Sequence, residues 1–291
     1  MSSPTHGYRP SLSRRAIKVL VKFIISILSL NRASVFSAEF CQALHPYKFI
    51  DIPDTSVSLR FLASHGRLLW RASTLLSEEP LILKWFKSMS PNLNYLDVGA
   101  NVGSYVLLAK AYNPSINITA AELDFNNLHL LYHNLVINNM QDNVLLLPFA
   151  LGDRTRLCNV HYRDLSQGDA LQSMDENSPF STTSSSLKHQ FTHLTIPLDS
   201  IYSIYELPFP DYIKVDVDGN EAKFLSGARQ TLSAAKEIYF EDSLTEDCSL
   251  FKKFLLTAGF NLFTEEPIYS KLDSTVVTGF NQLYSKLKTT S

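Results

Sequence analysis

Asp97-Val98-Gly99-Ala100-Asn101-Val102-Gly103 follows the apolar pair Tyr95-Leu96 and precedes the apolar run Tyr105-Val106-Leu107-Leu108-Ala109. The stretch reads as the end of a strand, a tight turn and the start of a helix. Gly99 and Gly103 carry no Cβ, so the turn lets backbone approach a ligand closely. Asn101 sits between them, and Asn is one of the few other residues that tolerate a left-handed conformation. Ala100 completes the turn. Asp97, at the strand end, is placed to accept hydrogen bonds from a cationic or hydroxylated group. The arrangement suits an adenosine-type cofactor lying across the carboxyl ends of parallel strands.

Two further stretches extend this reading. Ile116-Asn117-Ile118-Thr119-Ala120-Ala121 ends in Glu122. An acid closing the second strand, about 20 residues after the glycines, is where a ribose diol is gripped. A 2′-phosphate there would be repelled. Asp124 then reads as the N-cap of a helix carrying Leu128, Leu131, Tyr132, Leu135 and Val136 at helical spacing. The second stretch is Ile213-Lys214-Val215-Asp216-Val217-Asp218-Gly219-Asn220-Glu221, a short strand that ends in acids at a helix start. Three carboxylates so close repel one another. One reading is a solvated helix start, where acids favour the dipole. The other sets Asp216 facing a reacting centre, as general base, orienting group or cation ligand.

The turn is not a nicotinamide fingerprint, because Gly99-x-x-x-Gly103 lacks the Gly-x-Gly-x-x-Gly pattern. Nor does it end in the Gly-Lys-Ser/Thr of a triphosphate loop. The acid-x-Gly-x-x-x-Gly form matches class I methyltransferases. Asp97-Val-Gly-Ala-Asn-Val-Gly103, Ala150-Leu-Gly-Asp153, Leu198-Asp199 and Lys214-Val-Asp-Val-Asp-Gly-Asn-Glu221 occur in that order. Together they resemble the FkbM family of methyltransferases, over roughly residues 60–245. Trp70-Arg-Ala-Ser-Thr-Leu, Glu79-Pro80 and Trp85 are similar to a segment that precedes the turn in some members. Two departures stand out: Glu122-Leu123-Asp124 where members often have Glu-Pro, and Asp218 in place of the Glu common in Asp-x-Glu-Gly.

The resemblance implies a Rossmann-like α/β fold with a mostly parallel seven-stranded sheet and helices on both faces. It implies S-adenosylmethionine as cofactor and O-methylation of a sugar, a cell-surface glycan or a natural product. Asp97, Gly99, Ala100, Asn101 and Gly103 would hold the aminocarboxypropyl end, and Glu122 with Leu123 the ribose side. The Asp142–Asn143 segment or Asp153 would meet the adenine. Asp216 would face both methyl group and acceptor. A lid histidine, His193 among His161, His189 and His193, could take the hydroxyl proton, or a divalent metal could help instead, held by Asp216 and a second acid, Glu241, at the fifth strand end. A metal-free mechanism is expected. A nicotinamide oxidoreductase and a non-catalytic cofactor-binding module are the alternatives.

The chain has 291 residues, enough for one large α/β domain and an N-terminal extension. Its net charge of −2 offers no basic excess to neutralise nucleic acid. Cys41, Cys158 and Cys248 lie far apart, which fits free thiols in a cytoplasmic setting. Residues 1–15 are polar. Residues 16–30 form an apolar stretch with Lys18, Lys22, Ser26 and Ser29 on one helical stripe. At about 22 Å, fifteen helical residues fall short of the bilayer core. A helix docked on the domain, a helix weakly bound to a membrane surface, and a signal sequence remain as readings of this stretch.

Residues 31–90 read as an adaptor segment, with short strands at 49–52 and 57–61 and a helix over Ser77–Met89, and Trp70 ahead of that helix and Trp85 within it are expected in the core. Residues 91–291 alternate strand and helix. Strands are expected near 94–98, 116–122, 143–150, 211–216 and 237–241, with a helix at 250–258 and a closing hairpin at 261–264 and 278–284. Residues 154–195, polar and with a Ser/Thr run at 181–186, are expected to be an irregular lid-like insertion.

Overall fold

The structure, a computed structural model, describes residues 16, 19–24, 26, 46–162, 165–169, 173–175, 189–217, 219–270 and 275–286. Cys41, Asp218 and the 181–186 run lie outside them. Strands β1 (Tyr47–Asp51) and β2 (Ser58–Leu62) form an antiparallel hairpin. Helices α1 (Gly66–Thr74) and α2 (Pro80–Ser88) follow. Helix α2 starts later than Ser77 because Pro80, with its fixed φ and missing N–H, occupies the first turn.

The glycine turn joins β3 (Asn94–Val98) to α3 (Ser104–Tyr112). Next come β4 (Asn117–Ala121), α4 (Phe125–Ile137) and β5 (Val144–Leu147). Asp124 caps α4 as its sequence position suggests, accepting from the amides of Asn126 and Asn127. After an insertion the chain resumes with α5 (Leu198–Ile204), β10 (Tyr212–Val215), α6 (Glu221–Gly227), α7 (Arg229–Ala234) and β11 (Glu237–Asp242). Helix α8 (Glu246–Thr257) and the hairpin β12 (Asn261–Tyr269) and β13 (Val277–Ser285) complete it.

The main sheet has seven strands in the order β12-β13-β11-β10-β3-β4-β5. Strands β11, β10, β3, β4 and β5 are parallel, and β13 and β12 run antiparallel at one edge. This is the class I methyltransferase arrangement. The strand order reverses between β3 and β10, and ligands bind at such a switch point. Alternate residues serve opposite faces. Tyr95, Tyr212 and Tyr239 pack with α2 and α3, in one core that also takes in Leu59, Phe61, Ile82, Trp85 and Phe86 from the segment before β3. Leu96, Val98, Ile213, Val215, Ile238 and Phe240 pack with α5–α8 in a second core.

The insertion differs from the expected irregular segment. Strands β6 (Ala150–Leu151), β7 (Arg156–Tyr162), β8 (Ser173–Asp175) and β9 (His189–Ile196) form a separate sheet in the order β6-β9-β7-β8. Apolar alternation does not mark it: in β9 the polar His193 and Thr195 are buried while Phe191 and Leu194 are exposed, and β7 is buried on both faces from Cys158 to Tyr162. Cys158, Val160 and Tyr162 pack against Leu123 beside Glu122. At the N-terminus, the described residues among 16–26 are helical and exposed, including Val19, Leu20, Val21, Phe23 and Ile24. No described helix is long and apolar enough to cross a membrane.

Candidate active site

The turn is left-handed at three positions, Gly99 (φ 82°), Asn101 (φ 50°) and Gly103 (φ 83°). Space around the glycines is taken by the protein itself. A Cβ on Gly99 would lie 1.9 Å from the carbonyl oxygen of Asp216, and one on Gly103 2.9 Å from Leu131 Cγ. Both positions need glycine for the protein's own packing. They let the β3 and β10 turns, and α3 and α4, meet.

The amides of the turn are also committed. Those of Gly99 and Ala100 donate to the Ala121 carbonyl, and that of Asn101 to Glu122 Oε2. The Val102 amide donates to Asn101 Oδ1 and the Gly103 amide to the Ala100 carbonyl. A phosphate-binding turn needs open N–H groups. Here five successive amides are spoken for, while the nearby side chains are carboxylates. The turn suits cationic and hydroxylated groups rather than a pyrophosphate.

Asp97 is fully buried, and neither carboxylate oxygen makes a hydrogen bond. Burial raises its pKa to about 6, against the pull of Lys214, while the Tyr95 hydroxyl is near enough to favour the charge slightly. Glu122 is also buried and raised by desolvation to about 7, opposed by the amides of Asp124 and Asn101 that it accepts. Each of its oxygens keeps a second lone pair for ribose hydroxyls. Asp124 has an oxygen, Oδ2, that is buried and unpartnered. Such open buried acceptors are rare in a finished fold, and they fit a cofactor that brings an ammonium group, a sulfonium and hydroxyls.

Asp216 follows β10. Lys214 Nζ lies 2.9 Å from its Oδ2, and the Asp216 side chain is 30% exposed while that of Lys214 is 2% exposed. Lys214 stands beside Asp97 on β3 and beside Tyr239 on β11 in the sheet register. Burial opposes its charge, but Asp216, Asp97 and Glu79 outweigh burial and hold the ammonium above its ordinary range. Glu221 turns back to accept from the Gly219 amide.

The remaining candidates fall elsewhere. The His193 ring contacts Tyr162, whose hydroxyl is 2.7 Å from Nε2, and stacks on Phe125 at 5.6 Å between centroids. Burial lowers its pKa, with Asp124 opposing. It thus belongs to the group flanking Glu122 and Leu123, whereas Asp216 belongs with Lys214 and Gly99. Asp153 is engaged by Arg156 at 3.2 Å and Arg154 at 3.8 Å on the β6–β7 turn. Glu241 shares a face of β11 with Tyr239 and lies opposite Asn281 of β13. Among the described residues, no group of three or more His, Cys, Asp or Glu is arranged to hold a metal ion.

Sequence reasoning missed three features. Glu79 lies partly buried beneath the site. Lys214 was visible only as part of a motif, although a lone lysine in a buried parallel strand signals a buried anion. The third is a strap from the insertion. The Asp169 carbonyl accepts from Asn101 and Asn127, the Gly168 carbonyl from Arg71, and Arg67 pairs with the Asp169 carboxylate at 3.0 Å.

The FkbM methyltransferase domain matches residues 97–262. The chain belongs to that family. It is therefore a methyltransferase that uses S-adenosylmethionine, in keeping with a turn that has no open amides for a dinucleotide. No curated protein matches the chain in sequence. Among solved structures, a SAM-dependent methyltransferase from Agrobacterium tumefaciens is 11% identical with a TM-score of 0.47, covering 84% of this chain and 72% of its own. TYW2 of M. jannaschii in complex with AdoMet is 11% identical with a TM-score of 0.43, covering 84% and 88%. Precorrin-6y C5,15-methyltransferase of Geobacter metallireducens is 14% identical with a TM-score of 0.41, covering 71% and 85%.

Proposed function

We propose that this FkbM methyltransferase methylates a hydroxyl on a small acceptor, a sugar of a cell-surface glycan or a natural product. The acceptor class follows from the family resemblance. The observation that carries the reaction type is Asp216, a partly exposed carboxylate with one oxygen held by Lys214. Bound S-adenosylmethionine supplies an electrophilic methyl group on a cationic sulfur. The buried Asp97 carboxylate, whose oxygens have no hydrogen-bond partner, attracts its ammonium end, and Glu122 takes the ribose hydroxyls. Lys214 fixes the Asp216 rotamer, so that its other oxygen accepts the hydrogen of the acceptor hydroxyl. Drawing off that proton makes the alcohol a better nucleophile, an effect of ~10²–10⁴-fold.

We place the enzyme in the cytoplasm, with weak membrane attachment through residues 16–30. Residues 1–38 contain Arg9, Arg14, Arg15, Lys18, Lys22 and Arg32 and no Asp or Glu. An exposed apolar helix in a cationic setting favours an anionic lipid surface.

The test of the reaction type is Asp216→Asn, which keeps shape and removes charge. Turnover on a panel of glycan and small hydroxylated acceptors should fall by at least ~10²-fold, with affinity for S-adenosylhomocysteine retained. Near-normal turnover would remove Asp216 from the mechanism.

A further inference from the structure

Glu79 is an acid at the N-cap of α2 that does not cap it. The amide of Leu81 in the first turn of α2 is instead bound by Glu266 Oε2 of β12, at 2.9 Å. The Glu79 carboxylate points inward and accepts from two tyrosines, Tyr105 at Oε1 and Tyr239 at Oε2. Tyr105 opens α3 just after the glycine turn, and Lys214 Nζ stands 5.0 Å from the centre of its ring. Burial raises the pKa of Glu79 and Lys214 opposes that rise.

Even a partly buried carboxylate is unfavourable unless something compensates it. Two hydroxyl donors and a buried ammonium do so here. The converse matters more for the site. A sulfonium bound beside Asp216 would come close to the Lys214 ammonium, and like charges in a poorly solvated site repel strongly. Asp216 neutralises one side of that ammonium. Glu79 faces it from the side of α2 and α3.

We propose that Glu79 is a positioning residue for methyl transfer: it offsets the Lys214 charge from beneath, so that a cationic sulfur is accepted next to Asp216. The site thereby gains a preference for the sulfonium cofactor over its neutral thioether product, and the segment before the glycine turn supplies it. This rests on the reading that the methyl group lies at Asp216.

The experiment is calorimetric titration of full-length protein with S-adenosylmethionine and, separately, S-adenosylhomocysteine. In Glu79→Gln the Kd for S-adenosylmethionine should rise about tenfold, and that for S-adenosylhomocysteine by no more than about twofold, as loss of one nearby, partly buried charge implies. Glu79→Asp should restore most of the preference. Lys214→Met should shift the ratio the other way, and it remains informative if Glu79→Gln does not fold. Equal weakening of both ligands, or no change in the ratio in either variant, would overturn the proposal. Asp216→Asn run alongside separates the two readings. Lost turnover there, with an unchanged ratio in Glu79→Gln, overturns only the role of Glu79.

Discussion

The carbonyl oxygen of Asp216 occupies the place a side chain on residue 99 would take, 1.9 Å from where the Cβ of Gly99 would stand. The two strand ends that form the site are therefore locked together through a missing methyl group. Gly99→Ala must displace the Asp216 backbone, a contact with no flexible atoms to yield. Gly259 is also left-handed, at φ 87°, but a Cβ there meets nothing within 4 Å. Gly259→Ala should lower stability by only about 1–2 kcal/mol, the cost of backbone strain. Gly99→Ala should lower Tm further and abolish cofactor binding, as read by thermal melts with and without S-adenosylmethionine.

Asp97 and Glu122 predict opposite pH trends for the apo protein and for cofactor binding. Their folded pKa values, about 6 and about 7, lie above ordinary values of 3.8 and 4.5. Between those limits the folded state holds more protons than the unfolded state, so these groups make the apo protein less stable as pH rises. Binding an ammonium and a ribose diol needs the carboxylates ionised. Affinity for S-adenosylmethionine should fall as pH is lowered through about 7 and then 6. Melting curves across this range should show the ligand-induced rise in Tm shrinking towards acid. Asp97→Asn and Glu122→Gln should each flatten the apo trend.

His193 offers a sharper test of catalysis than its position in the sequence allowed. Were it the base that takes the acceptor proton, His193→Gln would lose ~10²-fold in kcat or more. Its place among Tyr162, Phe125 and Asp124 predicts instead a raised KM for the cofactor, with kcat within about threefold. Tyr162→Phe should lower stability by about 1–2 kcal/mol, since it strands the buried His193 Nε2.

The N-terminal stretch should be separable from catalysis. Deleting residues 1–30 should leave calorimetric binding of S-adenosylmethionine intact and abolish sedimentation with vesicles of anionic lipid. Equal recovery of full-length and truncated protein on those vesicles would end the membrane assignment, and lost cofactor binding would show that the stretch builds the core.

Much of the fold was legible because buried parallel strands and amphipathic helices mark themselves locally. Asn94–Val98, Tyr212–Val215 and the Asp124 cap fall where apolar runs and an N-cap residue set them. Strands β7 and β9 were not legible, since polar Asn159, His161, His193 and Thr195 take buried positions while apolar Phe191 and Leu194 are exposed. The acids at strand ends were visible as acids. What surrounds them was not. Glu79 and Tyr239 are 160 residues apart in the chain, and only the sheet order brings them together. Nor could spacing reveal that the amides of the glycine turn are already satisfied by Ala121 and Glu122.

The lock between Gly99 and Asp216 also dictates when the site comes into being. Strands β4 to β9 are all synthesised between its two halves. A nascent chain that has emerged only as far as β9 holds the complete glycine turn with nothing in its notch and no Lys214 beside Asp97. Tight capture of S-adenosylmethionine must wait until β10 pairs with β3, a contact of long sequence separation whose loop closure comes late. The cofactor can stabilise the finished sheet by mass action, but it cannot act as a template for the first half of the fold.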